Sequence, residues 1–123
     1  MVKLLLGTVA LVGVLGFVAC NGGTQPPPPG GLADCPTTPI TTSPSNVYSV
    51  PSCQLKVGSS VTIEASGSHP MIAKGSTSLV STEQTSNVVY LAKTEDVGKT
   101  LEFQCKFHGS SGMTGSIKIV AAM

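Results

Sequence analysis

The chain has 123 residues, room for one domain of ordinary size. Seven lysines face six carboxylates with no arginine, and charged residues are only 11%, so no basic face exists for nucleic acid. Aromatic residues are 4% with no tryptophan, and Gly, Ser, Thr and Pro fill much of the rest, which favours short strands and turns over helices.

Residues 1–19 stand apart from the fold. Lys3 is a minimal positive start, and residues 4–19 carry no charge and are interrupted by Gly7, Gly13 and Gly16. That run is short of the ~20 apolar residues of a membrane span. It suits a secretory signal peptide, which ends in small residues before a cleavage site. Its end, Phe17-Val18-Ala19-Cys20, resembles a bacterial lipobox, with Phe17 where leucine is usual. The resemblance implies cleavage before Cys20 and a diacylglyceryl group on its thiol. An ordinary signal peptide cut nearby and a retained N-terminal anchor are the alternatives. The expected location is extracytoplasmic, on the periplasmic face, with a lipid anchor in the membrane.

Residues 20–34 read as the lipidated cysteine and a Pro/Gly-rich linker. Pro26-Pro27-Pro28-Pro29 favours polyproline II at about 3.1 Å per residue, so the linker can hold a domain tens of ångströms from a bilayer. Residues 35–123 form the domain. Export permits disulfides, and Cys35 and Cys53 are expected to pair rather than remain two free thiols.

Within the domain, the chain is irregular until Val47-Tyr48-Ser49-Val50, which reads as a short strand. Leu55 and Val57 alternate with polar residues, Gly58-Ser59-Ser60 turn, and Val61, Ile63 and Ala65 alternate again, the period of half-buried strands. Leu79-Val80 and Val88-Val89-Tyr90-Leu91 are further apolar runs, separated by a polar stretch at 81–87. Residues 94–99 read as a turn or a single helical turn. Leu101, Phe103 and Cys105 alternate with Glu102 and Gln104, which puts Cys105 on the inward face. Ile117, Ile119 and Ala121 mark a terminal strand. No segment has a 3.6-residue period. About seven to eight short strands predict an all-β fold, an antiparallel sandwich or barrel.

The chemistry concentrates in Cys105-Lys106-Phe107-His108-Gly109-Ser110-Ser111-Gly112-Met113. A thiol, an imidazole and a thioether lie within nine residues. Two histidines and a cysteine in a trigonal plane, with a long axial methionine, make a blue-copper electron-transfer site. The only other histidine is His69, so if this is such a site its ligands are His69, Cys105, His108 and Met113 around one copper ion. Taken singly, an inward cysteine or methionine is more often core filler. Taken together, both histidines of a histidine-poor chain, the odd cysteine and a glycine-flanked methionine fit one site.

Cys-x2-His-x4-Met followed by Gly-x-Ile-x-Ile-Val resembles the C-terminal copper loop of the cupredoxins, especially plastocyanin and pseudoazurin. Leu55-Lys56-Val57-Gly58-Ser59-Ser60-Val61 is similar to their early strand pair, and residues 95–105 to the approach to the copper cysteine. The likeness spans roughly residues 47–121. It implies a Greek-key β-sandwich, one-electron shuttling, and His108 as the partly exposed ligand through which electrons pass. Those families usually carry Asn after the first histidine, whose backbone N–H bonds the thiolate. Here Pro70 has no N–H, so the donor to the Cys105 sulfur is expected to be the Phe107 N–H.

The leading function is therefore electron transfer at a membrane-tethered, monomeric protein. Its partners would be redox proteins such as a cytochrome c, an oxidase or a quinol-oxidising complex, docking on a rim of Met71, Ile72, Phe107 and Met113. The alternative is an exported copper-binding or copper-delivery protein. Enzymatic readings fail: a multicopper oxidase needs more histidines, a dinuclear centre needs a second loop cysteine, and a Cys–His hydrolase gives Met113 no role.

Overall fold

The computed structural model describes residues 31–75 and 79–123. The expectations for the signal peptide, the lipidated Cys20 and most of the linker lie outside these residues. Among the described residues the chain is all-β, with six strands and two short 3-10 turns. The strands are β1 (Ser52–Lys56), β2 (Ser60–Ile63), β3 (Met71–Lys74), β4 (Val88–Leu91), β5 (Thr100–Cys105) and β6 (Thr114–Val120).

One sheet has the order β1-β6-β5-β3 and the other pairs β2 with β4. Alternation decides which side chains enter between them. Leu101, Phe103 and Cys105 of β5 and Ile117 and Ile119 of β6 are fully buried, and Val61, Ile63, Val88 and Tyr90 are buried on the smaller sheet. All belong to one hydrophobic cluster. The opposite face of β4 leaves Val89 and Leu91 exposed, as a two-sided strand requires.

The expected antiparallel sandwich is corrected in one respect: β1 runs parallel to β6, with Cys53 opposite Ile117. A parallel pair needs a long crossover, and here most of the domain intervenes between the two strands. Side-chain alternation carries no information about strand direction. The strand count also falls below seven to eight. The segment around Val47 forms only a single bridge, Thr42 to Tyr48. There the Ser49 hydroxyl accepts the Thr41 N–H at 2.9 Å, a side-chain bond that competes with a ladder. Leu79 and Val80 pack against the core without entering a strand, and Ala121 is exposed. Residues 94–99 do contain the single turn expected, at Thr94–Asp96.

Cys35 and Cys53 form a disulfide with Cα atoms 4.8 Å apart. It pins the start of the domain to the outer edge of β1. Both edges of the larger sheet are covered in this way: Asp34 bridges Gln54 beside β1, and Gln84 bridges Met71 beside β3. Covering an edge protects its backbone groups from pairing with another chain.

Candidate metal centre

Two strand ends and one loop build the site. Cys105 is the last residue of β5, fully buried, and the free cysteine of the described residues. Met71, at the start of β3, lies directly opposite it. His69 therefore sits just beyond the end of the β3–β5 pair, on the side from which the 105–113 loop departs. Pro70 cannot donate a hydrogen bond, but its carbonyl accepts the Lys106 N–H at 2.8 Å. This backbone bond ties the His69 segment to the loop.

The loop is closed at its neck and again in its middle. The Cys105 N–H donates to the Met113 carbonyl at 3.0 Å, and the Met113 N–H donates to the His108 carbonyl at 3.1 Å. His108 leads into the 3-10 turn Gly109–Ser111, and Gly112 ends it at φ 102°, a left-handed conformation that glycine adopts without strain. Gly109 is needed for a different reason. A Cβ there would sit 2.7 Å from Cδ of Gln104, so a side chain at this position would displace the Gln104 amide from the loop.

These constraints converge the donor atoms. Cys105 Sγ lies 3.4 Å from His108 Nδ1 and 3.8 Å from His69 Nδ1. All three ligand atoms fall within 4.8 Å of one another, and the imidazole rings are 5.1 Å apart at 47°. Bonds of about 2.0–2.3 Å to one ion, at angles between tetrahedral and trigonal, place nitrogen and sulfur about 3.5–3.8 Å apart. The two Sγ–Nδ1 separations match that requirement, so each imidazole can share an ion with the Cys105 sulfur, and the three residues form a group that could hold a metal. Met113 is fully buried, with its backbone fixed between Cys105 and His108. No other group of three or more metal-ligating side chains occurs among the described residues.

Two expectations about the surroundings change. No hydrogen bond from the Phe107 N–H reaches the sulfur among the described residues; the polar contacts of Sγ are the two imidazoles. The lost Pro70 donor is thus not replaced from position 107, and the Pro70 carbonyl takes over the role of linking the two segments. The expected rim also shrinks. Met71 and Met113 are completely buried, whereas Phe107 is 58% exposed and His69, Ile72 and His108 are half-buried. Both methionines were needed inside, one opposite Cys105 and one at the loop neck.

Three residues near the site carry no obvious signal in the sequence. Gln84 exchanges two backbone bonds with Met71, both 2.9 Å, and Glu83 holds Lys106 at 2.6 Å. The polar stretch at 81–87 therefore braces both ligand-bearing segments. Tyr48 packs edge-on against Phe103 with centroids 4.9 Å apart. Its hydroxyl is buried without a hydrogen-bond partner. Burial, and secondarily the charge of Cys105, push its phenol well above the ordinary tyrosine value, so the ring stays neutral. No known family model matches the chain, and no curated protein matches it.

Proposed function

We propose that His69, Cys105, His108 and Met113 bind one copper ion and that the protein carries single electrons between redox partners outside the cytoplasmic membrane. On this reading the fold is a Greek-key cupredoxin and the chain is exported and lipid-anchored at Cys20. The observation that carries the proposal is the convergence of Cys105 Sγ and two imidazole nitrogens within 4.8 Å. These donors come from segments 36 residues apart, as the Cys105–His69 contact shows. Thiolate and imidazole with a thioether are the donor set of a blue-copper centre, which takes up and releases one electron. The Cys35–Cys53 disulfide agrees with export.

The residues contribute in distinct ways. Cys105 loses its thiol proton on binding, because only the thiolate is a good ligand. Its burial among Leu101, Phe103 and Met113 excludes water. His69 and Cys105 are fixed by the Met71 register and by the Lys106-to-Pro70 bond. The ligand frame therefore changes little between redox states. His108 is half-buried beside exposed Phe107, which gives an edge within reach of a partner's redox group. Encounters of this kind are weak and bury little area.

The test is the visible spectrum of the copper-loaded protein. An intense blue absorption is expected. A protein that binds copper without that colour and does not cycle would instead be a copper-delivery protein.

A further inference from the structure

Buried polar atoms are normally paired, and among the described residues two side-chain oxygens are not: Ser43 Oγ and Tyr48 Oη. Ser43 is half-buried beside a surface turn. Tyr48 is only 3% exposed and belongs to the hydrophobic cluster that also holds Cys105 and Met113. An unpaired hydroxyl in such a place opposes folding, and phenylalanine would fill the same space without it.

The phenol is held where it cannot move to a partner. Tyr48 bridges Thr42. On either side of that bridge the Ser43 N–H donates to the Val47 carbonyl at 3.1 Å and the Ser49 N–H to the Thr41 carbonyl at 2.9 Å. The ring packs edge-on against Phe103. Phe103 is fixed in turn, because its ring lies over Gly115, its partner on β6, where a Cβ would collide with Cζ. The next inward side chain of β5 is Cys105, about 7 Å further along at about 3.4 Å per residue. The hydroxyl therefore sits in the layer of the core next to the metal-binding cluster. Burial, with the charge of Cys105, keeps it protonated.

We propose that the Tyr48 hydroxyl, free to turn within the core, tunes the reduction potential of the site and holds it below the value that phenylalanine at 48 would give. This rests on the copper reading above. With one thiolate and otherwise neutral ligands, the oxidised site carries a net charge of one and the reduced site none. A hydroxyl without a hydrogen bond can turn its oxygen toward a positive centre, and in an apolar surrounding that attraction is stronger than in water. The oxidised state is therefore stabilised more than the reduced one. Tyr48 itself neither gains nor loses an electron or a proton. Tyr90 has no such freedom, because its hydroxyl is committed to Asp96.

Two measurements on Tyr48→Phe test the proposal: redox titration of the copper-loaded protein against a one-electron mediator, and denaturant unfolding of the copper-free protein. The redox equilibrium is expected to shift about twofold toward the reduced protein, a rise of about 18 mV at 59 mV per tenfold for one electron. The unfolding midpoint is expected to stay at or above that of wild type, since no hydrogen bond is lost. Tyr90→Phe, the control, should lower the midpoint and leave the potential unchanged. An unchanged or lowered potential in Tyr48→Phe overturns the proposal, as does an equal rise in Tyr90→Phe. A lowered midpoint or a failure of Tyr48→Phe to fold also overturns it, because either shows a hydroxyl that is paired and not free to turn. Failure of the copper reading shows separately, as colourless wild-type protein after copper loading.

Discussion

The sandwich buries two polar clusters at opposite ends, and they differ in how their atoms are satisfied. At the end away from the loop, the Asp96 carboxylate is only 3% exposed. It accepts the Tyr90 hydroxyl at 2.5 Å and the Lys99 ammonium at 2.8 Å. Donors and acceptors match, so this cluster is complete within the protein. At the loop end, Cys105 Sγ faces two Nδ1 atoms, and among the described residues no carboxylate joins the group. Three soft or borderline donors of electron pairs converge there. Buried polar groups are normally paired, so a closed cluster reads as structure and an electron-rich one as a place for a cation.

Substitutions should separate the two clusters cleanly. The largest effect is expected from Cys105→Ser, which removes the thiolate: the blue absorption of copper-loaded protein disappears altogether while circular dichroism keeps its β signature. Asp96→Ala should do the reverse. It strands the Tyr90 hydroxyl and removes the partner of Lys99, costing about 3 kcal/mol in denaturant unfolding, with the visible spectrum unchanged. A colour change in Asp96→Ala would show that the two ends are coupled.

Tyr90→Phe is milder, about 1–2 kcal/mol, because it removes one donor from a charged acceptor. It also has a pH signature. Burial, and then the hydrogen bond to Asp96, raise the Tyr90 phenol above its ordinary value of 10.0. The folded state thus holds its proton where the unfolded chain releases it. Stability is full below the ordinary tyrosine range and falls as pH rises through and beyond it. Tyr48 is shifted the same way, so wild-type protein should lose stability with a two-proton slope and Tyr90→Phe with a one-proton slope. Equal slopes in chemical denaturation series at alkaline pH would contradict this account.

The smallest effect is expected at Glu83→Gln. Its pair with Lys106 is partly solvated, with side chains 36% and 48% exposed, so the loss should not exceed about 1 kcal/mol. The backbone exchange between Gln84 and Met71 remains and should keep the site intact. Loss of copper affinity in this variant would mean that the surface pair, rather than the backbone, positions the loop.

The same contrast explains what was legible in the sequence. The meeting of His69, Cys105 and His108 was legible because these residue types are scarce: two histidines in 123 residues leave few ways to assemble such a group. The inward side of β5 was legible from the alternation of Leu101, Phe103 and Cys105. The closed cluster was not, because Tyr90, Asp96 and Lys99 are ordinary residues whose meeting depends on how the Thr94–Asp96 turn folds back. The parallel β1–β6 pairing was hidden for a related reason, since alternation gives a face but no neighbour. Nearness to the site does not give exposure: Met71 and Met113 occupy the interior that the loop must fill. The bracing by Glu83 and Gln84 depends on a bridge between segments 13 residues apart, as the Met71–Gln84 pair records.

X-ray absorption at the copper edge of the loaded protein tests the central claim most directly. One short sulfur and two nitrogen scatterers are expected, with the sulfur lost in Cys105→Ser. A copper shell made only of nitrogen and oxygen in the wild type would contradict the assignment of Cys105, and with it the proposed electron-transfer centre.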